Sequence, residues 1–109
     1  MKRGDIVTVA LQGDFGKPRP ALILETDLLA PTKHVILCTG TSTLRENVEL
    51  RRVLVSPTDA NGLRSPTQFQ LDKVTAVQRA KCGEVIGRID GESMEQVNRV
   101  LLVLLGLAD

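Results

Sequence analysis

Aromatic side chains are nearly missing from this sequence: Phe15 and Phe69 are its two, and there is no Trp or Tyr. Recognition of single-stranded nucleic acid by bases stacked on aromatic platforms is thereby excluded as a main device. Charge of one sign is lacking too. Fourteen basic side chains face thirteen acidic ones, a formal net charge of +1, so no global field gathers polyanions. That excludes a sequence-independent nucleic-acid coat and leaves room for a local basic cleft. Cys38 and Cys82 are too scattered for a disulfide framework, and no C-x-x-C spacing exists. Cys38 lies in the apolar run Val35-Ile36-Leu37-Cys38, the setting of a buried, inert thiol. The single histidine, His34, has no Cys or His beside it, so no metal site is expected, nor any other cofactor. The stretch between Arg3 and Gln12 is too short for a signal peptide, and no apolar run approaches membrane-spanning length. A cytoplasmic protein without membrane contact is expected.

What is present fits one small domain over residues 1–109, long enough for a single core. Residues 5–11, 19–26 and 33–39 are short runs rich in Val, Ile and Leu, separated by Gly, Pro and Asp, and are expected to be strands. Over 44–55, Val48 and Leu50 alternate with Asn47, Glu49 and Arg51. The phase then slips at Arg51-Arg52 before Val53-Leu54-Val55, which suggests a strand with a β-bulge or a sharp bend. Asn61-Gly62 marks a turn. After Ser65-Pro66, Phe69 and Leu71 alternate with Gln68, Gln70 and Asp72, and 74–77 continues that strand or forms another. Short strands at this spacing point to a small antiparallel barrel or sandwich rather than βαβ units.

Past Gly87 the period becomes helical. Asp90 can cap a helix, and Ser93 with Gln96 offers a second register. Met94, Val97, Val100, Leu101, Leu104 and Leu105 recur at helical spacing, but Leu102, Val103 and Leu107 extend the apolar surface beyond one face. A helix apolar nearly all round is covered on more than one side. One sheet in so short a chain cannot do this, so a homodimer is expected.

The segment Lys17-Pro18-Arg19-Pro20 leads into the apolar run Ala21-Leu22-Ile23-Leu24. Lys17 and Arg19 both precede a proline and are driven to extended backbone, while Pro18 and Pro20 fix their own φ. A stiff entry segment thus aims one guanidinium, a planar fork suited to phosphate or carboxylate. Taken alone, an Arg-Pro pair reads rather as an edge strand with a solvated arginine. Thr39-Gly40-Thr41-Ser42-Thr43 is a hydroxyl-rich loop whose hydroxyls and amides can donate to a phosphate, or simply a turn. The polar face Gln68-Gln70-Asp72 reads as a solvent face or as a binding one. Arg45, Arg51 and Arg52 read as solvated charges.

Together, RGDIVTVAL, a glycine-bearing loop and KPRPALILETD resemble the opening of the MazF/PemK toxin family. The likeness continues through CTGTST after the third strand, NGLRSPTQFQLDKV and the apolar closing helix, and so covers nearly the whole chain. The resemblance implies mainly β structure with a C-terminal helix, in a small SH3-like antiparallel barrel of the CcdB/PemK type. It implies a ribosome-independent endoribonuclease acting on single-stranded RNA, a homodimer, and a cognate antitoxin as partner. By this likeness Arg19 matches the family's catalytic arginine. Thr41 and Ser42 match its catalytic threonine and small polar neighbour, with Thr39 two residues away as the other register. Lys17, Ser42, Gln70 and Asp72 are the RNA-binding candidates, Asp72 at a recurrent acidic position and Gln70 where some members carry arginine. The first loop is compressed to 12–17, with Asp14 and Lys17 as its only charges, and neither is an obvious general base. Metal-free cleavage through the 2′-OH is the expected chemistry. A non-enzymatic gyrase poison on the same barrel, acting through the C-terminal helix end, and an inactive binding barrel remain alternatives.

Overall fold

In the computed structural model the described residues are 1–11 and 17–108; the glycine-bearing loop with Asp14 and Phe15 lies outside them. Seven strands run β1 Asp5–Val9, β2 Arg19–Ile23, β3 His34–Thr41, β4 Arg52–Val55, β5 Thr67–Gln70, β6 Thr75–Gln78 and β7 Cys82–Arg88, followed by α1 Gly91–Leu104. Neighbouring strands pair in the order β4-β5-β3-β2-β1-β7, with β6 on the other half of β3, and every pairing is antiparallel. The expected class, mainly β with a C-terminal helix, is what forms.

The central strands are apolar on both faces because both faces are covered. Val7, Val9, Ala21, Ile23, Val35, Leu37 and Val77 point inward to one cluster, around which β7, β1, β2, β3 and β6 curl. Ile6, Leu22, Leu24 and Cys38 point the other way and meet Val53, Val55, Phe69, Leu71 and Val97 from β4, β5 and α1. The curled sheet is close to a barrel but is not closed: β6 and β7 are joined by a 3-10 turn at Arg79–Lys81, and among the described residues no ladder links them. Burial by desolvation pushes the Cys38 thiol from its ordinary 9.0 up to about 12, which keeps it protonated and unreactive.

Three expectations need correction. The alternation over 44–50 does not make a strand. That segment is bends and turns, Asn47 has a φ of 59°, and the Val48 carbonyl accepts the amides of Arg51 (2.9 Å) and Arg52 (2.7 Å) just before β4 begins. The step at Arg51-Arg52 is thus the start of a strand rather than a bulge within one. Second, β7 was not among the expected strands. Third, Gln68 and Gln70 are not on a solvent face: all of β5 is buried, with the 44–50 segment lying over Gln68. Gln68 ties down the 44–50 segment, its Oε1 accepting from the Arg45 amide (3.1 Å) and Arg52 Nη1 (3.0 Å), its Nε2 donating to the Arg45 carbonyl (2.8 Å).

The helix begins where Asp90 Oδ2 accepts the Ser93 amide at 2.9 Å, and that bonding holds the Asp90 carboxyl below its usual range. It ends in a Schellman closure, with Gly106 N donating to Val103 O (3.0 Å) and Leu107 N to Leu102 O (2.8 Å). Val97 is fully buried, and Met94, Val100, Leu101 and Leu104 pack on the same core. Leu102, Val103, Leu105 and Leu107 remain exposed. No helix among the described residues is long and apolar enough to cross a membrane.

Candidate functional site

The site is built where two ladders part. β2 and β3 pair from Ala21↔Thr39 to Ile23↔Leu37. Continued by two residues, that register would set Arg19 opposite Thr41. Pro20 has no amide to donate, and beyond it the ladder stops. On its other edge the end of β3 pairs with β5, Gly40 with Phe69 and Thr41 with Gln68. A Cβ on Gly40 would lie 2.4 Å from Thr67 Cγ2 and 3.1 Å from the Phe69 ring, so only glycine lets β5 approach β3 this closely. The parting leaves a cleft of about 680 Å³.

Lys17, Pro18, Arg19 and Pro20 line one wall of this cleft, and Gly40, Thr41, Ser42 and Thr43 its floor. Gly62, Leu63, Arg64, Ser65 and Thr67 form the far wall, with Thr8 and Ile86 beneath. The lining therefore holds three cations, Lys17, Arg19 and Arg64, together with six hydroxyls, and no carboxylate among the described residues. Such a surface favours an anion with several acceptor oxygens. Arg19 is exposed and backed by β1 through the Val9↔Arg19 pair. Thr41 Oγ1 accepts the Thr43 amide at 3.1 Å, which folds the loop back and leaves its own hydrogen to donate.

Of the residues expected from the sequence, Lys17, Arg19, Thr41 and Ser42 come together here. Gln70 and Asp72 do not line the cleft. Gln70 is buried, its Oε1 accepting from Thr39 Oγ1 at 3.3 Å, and Asp72 is exposed on a 3-10 turn at Leu71–Lys73. That bond also occupies Thr39, and of the two registers it is Thr41 that lines the cleft.

Arg64 was missed. Its signal was present: like Arg19, it precedes a proline-bearing strand entry, in Arg64-Ser65-Pro66. Its wall is firmly made. Asn61, only 2% exposed, accepts the amides of Thr58 (3.0 Å) and Leu63 (3.0 Å) and donates to the Ser56 carbonyl (2.8 Å). Gly62 takes a φ of +70°, and a Cβ there would sit 2.1 Å from the Ile86 carbonyl oxygen, so this turn is seated directly on β7.

The chain has relatives among known proteins. Residues 2–105 match the family described as "PemK-like, MazF-like toxin of type II toxin-antitoxin system". The chain belongs to that family. A "Probable endoribonuclease MazF" of Mycolicibacterium smegmatis is 39% identical over 109 residues, 99% of each chain. Among solved structures, "Endoribonuclease in complex with its cognate antitoxin from Mycobacterial species" superposes with a TM-score of 0.82 at 22% identity, covering 100% of this chain and 98% of that one. "Mycobacterium tuberculosis toxin MazF-mt6" superposes at 0.78 with 23% identity, covering 96% and 98%. At these identities the superpositions speak for the fold alone, and the family rests on the sequence matches.

For this MazF-like toxin the far wall makes a direct test of construction. Asn61→Ala removes the partner of two amides and a carbonyl, the Leu63 amide among them buried, so a loss of stability on the order of 2 kcal/mol is expected from urea melts. A midpoint unchanged from wild type would show that the Asn61 bonds do not hold the wall.

Proposed function

We propose that this chain is a metal-independent endoribonuclease that cuts single-stranded RNA at a short sequence. The observation that carries the reading is the meeting of Arg19 and Thr41 in one cleft lined by cations and hydroxyls. The 39% identity to a protein named as a probable endoribonuclease supports it. In the proposed reaction the ribose 2′-oxygen attacks the adjacent phosphorus and the 5′-oxygen of the next nucleotide departs. The 2′-OH proton is lost and a proton reaches the leaving oxygen, giving a 2′,3′-cyclic phosphate and a 5′-hydroxyl. The guanidinium of Arg19, permanently charged and forked, stabilises the phosphorane's equatorial oxygens. Thr41 donates its hydroxyl to the same group, and Lys17 and Ser42 hold flanking parts of the strand. Arginine is a poor base at neutral pH, so water beside Arg19 takes the proton from the 2′-OH and returns one to the departing 5′-oxygen. With few aromatic rings available, sequence is read through hydrogen bonds to base edges.

Two partners belong to this reading. One is a cognate antitoxin protein, as in the solved mycobacterial complex. The other is a second copy of this chain, covering Leu102, Val103, Leu105 and Leu107, which the fold leaves exposed. Each such side chain gains roughly 1.5–3 kcal/mol when fully buried.

Purified protein incubated with mixed RNA in EDTA should cut it and leave 2′,3′-cyclic phosphate and 5′-hydroxyl ends. Strict dependence on Mg²⁺, or fragments with 5′-phosphates, would rule the mechanism out, and intact RNA with a gyrase defect would favour the poison. For the dimer, sedimentation should give twice the 11.8 kDa chain mass. Leu102→Lys with Leu105→Lys should give monomer while leaving the core-facing Leu101 and Leu104 in place. A wild-type mass of one chain across micromolar concentrations would refute it.

A further inference from the structure

Among the described residues Arg64 is the one cation on the far wall of the cleft, and its place is fixed from both sides. Leu63 before it is sunk in the core with Phe69, and Thr67 after it opens β5 as a buried residue. The 56–62 turn behind it is held by Asn61 and docked on β7, where the Arg88 amide donates to the Ala60 carbonyl at 2.8 Å. A long, flexible side chain is thus carried on a stiff base. Arg64 is exposed, and among the described residues no carboxylate pairs with it, whereas Arg79 is bound to Glu25 and Arg88 to Asp5. Its charge contributes no ion pair to the fold, and it faces a space shared with Lys17 and Arg19.

The topology separates the two arginines. The end of β3 lies between the start of β2 and the start of β5, so Arg19 and Arg64 stand on opposite sides of it. A strand of RNA crossing the β3 end meets Arg19 on one side and Arg64 on the other. It carries one phosphate per nucleotide and can satisfy both.

We propose that Arg64 binds the phosphate next to the scissile one, so that the cleft grips two consecutive phosphates of a single strand. This rests on the endoribonuclease reading above. Arg64 is a positioning residue: it fixes the register of the strand over Thr41 and takes no part in the bond changes. A positioning contact of this kind needs charge more than fork geometry, so lysine can replace it, unlike at Arg19.

The test uses a mixed-sequence pool of labelled single-stranded 2′-O-methyl oligonucleotides, which cannot be cut, bound to the full chain across a range of salt. Arg64→Ala is expected to weaken binding roughly tenfold and to make the log–log salt dependence shallower by about 0.7, the loss of one single-strand phosphate contact. Arg64→Lys should restore the slope. With cleavable RNA, Arg64→Ala should raise KM and leave kcat near wild type, with the cut sequence unchanged. Wild-type affinity and slope in Arg64→Ala would overturn the proposal, and so would a fall in kcat without a rise in KM. A changed cut sequence would also overturn it, in favour of a base contact. If wild type cuts RNA and Arg64→Ala matches it throughout, the Arg64 proposal alone fails. If wild type neither binds nor cuts, the endoribonuclease reading fails with it.

Discussion

The close seating of Gly40 against Phe69 and Thr67 is the contact on which the rest of the site depends. β3 pairs with β2 along one edge as far as Thr39, and along the other edge with β6 up to Leu37 and with β5 from Gly40. Any side chain at Gly40 would displace Thr67 or the Phe69 ring, and β5 could not lie this close to the end of β3. The early end of the β2 ladder opens the cleft, while the β5 pairing sets Thr41 on its floor and brings the 62–67 wall alongside. Pro20 is the matching device on β2: it ends hydrogen bonding where the opening must begin. Fold and site thus share one cause, a strand that serves two sheets.

The charge distribution is consistent with this. A chain with net charge +1 has no long-range pull on nucleic acid, so any attraction must be local. Three cations share one cleft whose lining holds no carboxylate among the described residues, while Glu25 is bound to Arg79, Asp5 to Arg88, and Asp90 caps the helix. Concentrating charge in this way suits a ligand with closely spaced phosphates. The shortage of aromatic rings points the same way, toward backbone contacts and hydrogen bonds in place of stacking.

Much of this was legible in the sequence, for identifiable reasons. Arg19 stood out because prolines on both sides dictate its backbone, and Asp90 because capping chemistry is local. The surplus apolar residues after Val100 were legible as surface left over from one helical face, and Leu102, Val103, Leu105 and Leu107 are exposed in the fold. What escaped depends on tertiary partners. β7 carries Gly83 and Gly87 and buries little of itself, so it has no hydrophobic period; it pairs because β1 needs a neighbour. The alternation of Gln68 and Gln70 with Phe69 is the same for a strand facing water and for one roofed by the 44–50 segment. Arg64 was passed over despite its Arg64-Ser65-Pro66 entry because its loop becomes rigid only against β7, a strand distant in sequence and silent in pattern. The resemblance to MazF/PemK toxins, by contrast, was carried by the order of several short motifs, and the family match over residues 2–105 agrees with it.

The central claim is that Arg19 supplies charge to a phosphate-transfer step while contributing little to the fold. The direct measurement is RNA turnover by Arg19→Ala beside a thermal melt of the same preparation. A melt like that of wild type, with turnover lower by on the order of a hundredfold or more, is expected when a preorganised charge is removed from the transition state. An Arg19→Ala protein that melts normally and cuts RNA at the wild-type rate would contradict the assignment.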